Sequence, residues 1–235
     1  MCALGHYLEE EGIASVAIAL IRPQAEKTRP PRALWVPFEL GRPIGPPSDA
    51  AFQKRVILAA LGMLAEGGGP ARIKDFPDDD PREASAPNWR PPIPTTTERG
   101  ADAVEAELRA LAPAYAAWCT RRERSTVGLS GLPPAACGEY LAAWLRGERP
   151  ASPIADMSPA LALRFVLDDL KAFVLEAALS PGMRPSSQQL GDWLWNETAL
   201  GAAIQALRRE FLAGDDERLK QLAFFFVPAL RVPPG

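Results

Sequence analysis

Hydrophobic positions in the first seventy residues fall into two dense runs set between polar stretches. Residues 3–11 are good helix formers with Leu4 and Leu8 on one face, and Gly12 sits where a helix-ending glycine belongs, so a helix is predicted. Residues 13–21 form a nearly continuous apolar, β-branched run, the pattern of a strand covered on both faces. A polar connection carrying Arg22, Glu26, Lys27 and Arg29 leads to a second apolar run, residues 33–38, predicted as a strand of the same sheet. Parallel pairing needs a crossover, and residues 22–32 are short for one, so the pattern leaves the strand order open.

After a turn rich in proline and glycine, Ser48 or Asp49 can cap a helix whose apolar positions include Phe52, Val56, Leu61 and Leu64, and which Gly67, Gly68, Gly69 and Pro70 then stop. The expected fold class is an α/β amino-terminal module, ordered helix-strand-strand-helix, followed by a mostly α-helical carboxy-terminal half. The predicted organisation is a module over residues 1–69, a Pro/Gly-rich linker or irregular arm over 70–100, and a helical domain over 101–235. Within the last, helical periodicity covers residues 101–122, 134–146, 159–179, 187–212 and 216–229, and residues 126–132 read as a short strand or an extended turn. Ser158-Pro159 and Pro185-Ser186-Ser187 are sound helix openings, and no repeat of fixed period is present.

Composition narrows the function classes. With 235 residues and 47% hydrophobic content the chain can bury a substantial core. Its 26 basic and 29 acidic residues are evenly mixed, so neither a nucleic-acid face nor a polybasic membrane-binding segment is expected, and a small molecule or a protein is the expected partner. The longest apolar window, residues 13–21, is too short for a bilayer and lacks the flanks of a secretory signal, which points to a cytoplasmic protein without membrane association. Cys2, Cys119 and Cys137 are scattered, and His6 is the one histidine, so no metal site is expected.

The candidate ligand site is the turn after the second strand. Ligands of strand-layered folds tend to bind beyond the carboxyl ends of strands, where Glu39, Leu40, Gly41, Arg42 and Pro43 fall. Gly41 permits unusual backbone angles, Pro43 stiffens the turn, and the planar fork of Arg42 suits a carboxylate, with Arg22 and Arg32 as further cations. A structural turn with solvated arginines explains the same residues. Cys2 is the candidate thiol, because reactive thiolates occur at helix amino termini and His6 lies one helical turn away, although a surface thiol near a chain end is the plainer account.

Other features invite both a functional and a structural account. Cys119 and Cys137 sit on apolar helix faces and read as small core fillers. Trp193 and Trp195 beside Asn196, Glu197 and Thr198 suit either a pocket wall or core packing. Asp168-Asp169 reads as the exposed edge of an amphipathic helix, Asp78-Asp79-Asp80 as a solvated turn, and Phe224-Phe225-Phe226 as either a docking surface or packing.

Three segments carry a family resemblance: Glu9-Glu10-Glu11-Gly12-Ile13-Ala14-Ser15-Val16, then Val36-Pro37-Phe38-Glu39-Leu40-Gly41-Arg42-Pro43, then the helix from Phe52 to Leu64. In order and spacing they resemble the carboxy-terminal segment of the B-component selenoproteins of glycine, sarcosine, betaine and D-proline reductases, over about a third of the chain. The resemblance implies reductive cleavage of a carbon-nitrogen bond in a small amino-acid-like substrate, with the Leu40 to Pro43 turn in the floor of the site. It implies no cofactor within this chain, and a partner reductase subunit that carries a pyruvoyl group. The family's redox-active selenocysteine or cysteine lies upstream of the helix matching residues 3–11, so the resemblance does not assign that role to Cys2. The alternative expectation is a non-catalytic binding or scaffold protein that docks a partner through its helical half.

Overall fold

A computed structural model describes residues 2–66, 71–80, 88–179 and 185–228. The chain divides into two compact units, Met1–Ala84 and Ser85–Gly235.

The first unit is an α/β layer structure. Helix α1 (Cys2–Glu10) leads to strand β1 (Ala17–Ala19), helix α2 (Arg22–Thr28) and strand β2 (Arg32–Trp35). Helix α3 (Ala50–Gly62) follows, extended by a 3-10 turn over Met63–Glu66, before strand β3 (Arg72–Asp75). The strands form one parallel sheet in the order β1-β2-β3, with Ala17 opposite Ala33 and Arg32 opposite Arg72.

Three features differ from the sequence expectation. The connection over residues 22–32 holds the two-turn helix α2, and this supplies the crossover that parallel pairing requires. Its signals are faint because only Ala25 is buried, Pro23 stands in the first turn, and the left-handed residue that ends it is Arg29 (φ 46°) rather than glycine. Strand β3 lies inside the stretch read as a linker. Arg-Ile-Lys-Asp carries no apolar run because β3 is an edge strand with half-exposed side chains. The strand read over residues 13–21 shortens to three residues, and Ile13 and Ile21 are exposed. The stop at Gly67 to Pro70 lies outside the described residues.

Period-two alternation on β2 explains the layers. Leu34 and Val36 face Phe52, Val56 and Met63 of the α3 side, where Phe38, Phe52 and Phe76 form a triad with ring centroids 5.5–5.9 Å apart. Ala33 faces the opposite way and packs with Ala19, Ala25 and Cys2, so small side chains let α1 and α2 approach the sheet.

The second unit is helical: α4 (Ala101–Arg122), α5 (Pro134–Leu145), α6 (Pro159–Ala178), α7 (Ser187–Glu197), α8 (Ala199–Ala213) and α9 (Glu217–Ala223). Its core joins Leu111, Leu141, Leu167, Leu170, Trp193, Ile204 and Phe226, each essentially inaccessible to solvent. The single helix expected over residues 187–212 is broken at Thr198, which is extended (ψ 151°). Its hydroxyl donates to the Leu194 carbonyl (2.6 Å) and accepts from the Gly201 amide (2.9 Å), closing one helix and opening the next. At Gly201 any Cβ would run into the Leu194 carbonyl. The last helix ends at Ala223 rather than near 229, a residue outside the described ones. Residues 126–132 adopt a turn.

Asp169 is not on an exposed edge. It is 1% exposed, and its two oxygens accept from the amides of Gly128, Leu129 and Ser130 (2.8 Å each) and from the Ser130 hydroxyl (2.5 Å). Asp168, its neighbour in sequence, pairs with Arg164 and with Lys171 (2.8 Å).

Candidate functional site

The carboxyl end of β1 and the turn after β2 border a cleft of about 340 Å³ in the first unit, lined by Cys2, Ala19, Ile21, Gln24, Thr28 and Leu40 among others. Three separate segments meet there: the first turn of α1, the step from β1 into α2, and the turn after β2. The strands are parallel, so their carboxyl ends share one edge, and the loops leaving that edge build the concavity.

The six sequence candidates divide between the two ends of the sheet. Leu40 is 73% exposed and lines the cleft beside Cys2. Gly41 (φ 93°), Arg42 and Pro43 continue the exposed turn, which closes through the Arg42 amide to the Glu39 carbonyl (3.0 Å). The Arg42 guanidinium lies 3.5 Å from the Glu39 carboxylate and 3.9 Å from that of buried Asp80, and it is not among the residues that line the cleft. Arg22 lies across the strand ends: it follows β1, stacks over the Trp35 ring (5.2 Å) at the end of β2, and pairs with Asp75 at the end of β3 and with Glu26 (2.9 Å). Asp75 first, then Glu26, hold its guanidinium still more firmly protonated than usual. It clamps the sheet edge.

Arg32 stands at the other end of the sheet. It begins β2, is 7% exposed, and pairs with Glu9, whose carboxylate also accepts from the Ser15 amide (2.7 Å). The Ser15 amide foremost, and then Arg32, outweigh desolvation and hold Glu9 below the usual glutamate range. The pair ties α1 to the sheet, far along β2 from the Leu40 turn.

Cys2 opens α1, partly buried against Ala17 and Ala19. His6 does not complete a thiol-imidazole pair: its Nε2 lies 3.1 Å from the Thr28 carbonyl, joining α1 to the end of α2. Cys137 is fully buried in α5, and desolvation pushes its thiol up, as suits a core filler. Cys119 lies half-buried on α4. Among the described residues no three His, Cys, Asp or Glu side chains cluster to hold a metal ion, and no helix is long and apolar enough to cross a membrane. In the acidic triplet, Asp78 pairs with Arg55 while Asp80 is buried near Arg42.

Sequence reasoning missed Gln24, Thr28 and Ile21 as cleft residues. They belong to α2, and without that helix nothing placed them beside Cys2. No family model, curated protein or solved structure matches the chain.

Proposed function

We propose that the first unit is a reductase-like module, similar to the B components of the glycine, sarcosine, betaine and D-proline reductases, that binds a small amino-acid-like substrate for reductive cleavage of its carbon-nitrogen bond. One observation carries the reading: a thiol, Cys2, and the family-like turn, through Leu40, line one cleft at the carboxyl edge of a parallel sheet. In this reading Arg42, two residues beyond Leu40 in the same turn, reaches the substrate carboxylate, exchanging its loose contacts to Glu39 and Asp80 for a charge-assisted pair. Cys2 faces the substrate body, and a partner subunit brings the pyruvoyl group. The small volume suits an amino acid rather than a nucleotide or peptide.

Glycine, sarcosine, betaine and D-proline, each added to the purified chain, test it. At least one should bind saturably and slow alkylation of Cys2 by iodoacetamide, followed at that residue by mass spectrometry. Arg42→Ala should weaken the same ligand by about tenfold, as loss of a charge-assisted contact would. If none of the four binds or shields Cys2, the reading is wrong. A second reading, a docking scaffold, is favoured by Phe224 and Phe225, which follow α9 with 65% and 64% exposure while Phe226 is fully buried.

A further inference from the structure

The second unit holds a larger cleft, about 630 Å³, whose floor and rim differ in chemistry. Leu145, Trp195 and Leu207 make an apolar floor, and Arg99, Asn196 and Arg209 stand on the rim. The cations are not used up by the fold. Arg209, exposed on α8, has no hydrogen bond or ion pair among the described residues. Arg99 donates from one nitrogen to the main-chain carbonyls of Thr96 (2.9 Å) and Glu98 (2.7 Å), which are neutral partners and leave its charge uncompensated there. Glu107 feels the charge of Arg99, but its own oxygens accept from the amides of Ala199 (2.6 Å) and Leu200 (2.9 Å). Glu210, on the same rim, is neutralised by Arg149 (2.7 Å).

We propose that this cleft binds a small organic acid with an apolar body: the body covers Trp195 and its aliphatic neighbours, and the carboxylate bridges Arg99 and Arg209. A planar fork matches a carboxylate, and the volume lies within the range of small-molecule sites. The apolar floor offers nothing to the further oxygens of a phosphate, so a monocarboxylate with an apolar body fits better than a phosphate ester. The inference is independent of the reading of the first unit.

Calorimetric titration of the full chain with 3-phenylpropionate, octanoate, 3-phenylpropionamide and inorganic phosphate decides it. At least one acid should bind saturably, the amide about tenfold or more weaker, and phosphate should not displace the acid. Arg209→Gln should weaken the acid by about tenfold with the melting temperature unchanged, since the side chain it removes has no partner among the described residues. Ala206→Glu, at an exposed lining position, should abolish binding by like charge, and Cys2→Ser should not alter it. Absence of binding by both acids, equal binding of the amide, displacement by phosphate, or unchanged affinity in both Arg209→Gln and Ala206→Glu would overturn the proposal.

Discussion

Asp169→Ala should destabilise the helical unit by about 3–5 kcal/mol, the scale of stripping a buried charge from its hydrogen-bond partners. The carboxylate on α6 gathers three main-chain amides and one hydroxyl from the turn between α4 and α5, and its loss leaves the amide and hydroxyl of buried Ser130 without that acceptor. Asp169→Asn keeps one oxygen and presents an amide donor to the remaining donors, so it should recover only part of the loss. Five of the six tryptophans lie beyond residue 85, so urea denaturation followed by tryptophan fluorescence reports this unit. An unchanged midpoint in Asp169→Ala would show that the turn does not depend on the carboxylate.

The same residue sets a pH dependence with a definite sign. Burial alone would raise its pKa, but the Ser130 hydroxyl and the amides of Gly128, Ser130 and Leu129 together outweigh burial and hold the carboxyl below the ordinary 3.8. Its folded pKa being the lower one, its contribution is complete above pH 3.8 and drains away as the pH falls through the folded value. Glu107 acts oppositely. Burial raises its pKa above 4.5 against the pull of the Leu200 and Ala199 amides, so its contribution declines as the pH rises from 4.5 through the folded value. Asp169→Ala should therefore flatten the acid limb while leaving the Glu107 limb in place.

What was legible in the sequence follows burial. The capped helix at Asp49 and the long helices of the second unit declare themselves because their buried positions recur at one period, whereas the two strands show only as apolar runs whose ends overshoot them. Elements with little burial did not. α2 buries one alanine and β3 is a polar edge, and with them went the parallel order and half of the cleft wall. Polar side chains whose partners lie far along the chain were equally opaque: Asp169 serves a turn some 40 residues away, and Glu107 accepts from the first amides of α8 across 92 and 93 residues. Local spacing carries no sign of such pairings. At the cleft, Leu40 was readable from its turn chemistry, whereas Arg32 was misplaced because nothing local says which end of a strand a flanking arginine occupies. The break at Thr198 did leave a mark: Asn-Glu-Thr followed by Gly201 is a cap with its close-packed glycine, hidden within an otherwise helical pattern.

Gly45→Ala should cost the first unit about 2–4 kcal/mol, the sum of left-handed backbone strain and overpacking. Gly45 adopts φ 87°, and a methyl group there would press on the Phe52 ring, with Cδ1 at 2.6 Å. Phe52 cannot swing aside, since it is 7% exposed and wedged between Phe38 and Phe76. Gly41→Ala separates the two contributions. At φ 93° it carries the backbone strain, but beyond its chain neighbours no atom of the described residues lies within 4 Å of the added methyl, so it should cost only about 1–2 kcal/mol. Hydrogen exchange of peptides covering residues 32–66 reads both variants against the parent chain, with protection lost more deeply in Gly45→Ala. Equal losses in the two would mean that the Phe52 contact yields freely. The turn carrying Leu40 and Arg42 would then be held by its own hydrogen bonds rather than by the aromatic triad beneath it. In the structure the Gly45 amide donates to the Arg42 carbonyl (2.9 Å) and a Cβ at Gly45 would meet the Phe52 ring, so the aromatic triad lies against the same turn that carries Leu40 to the cleft.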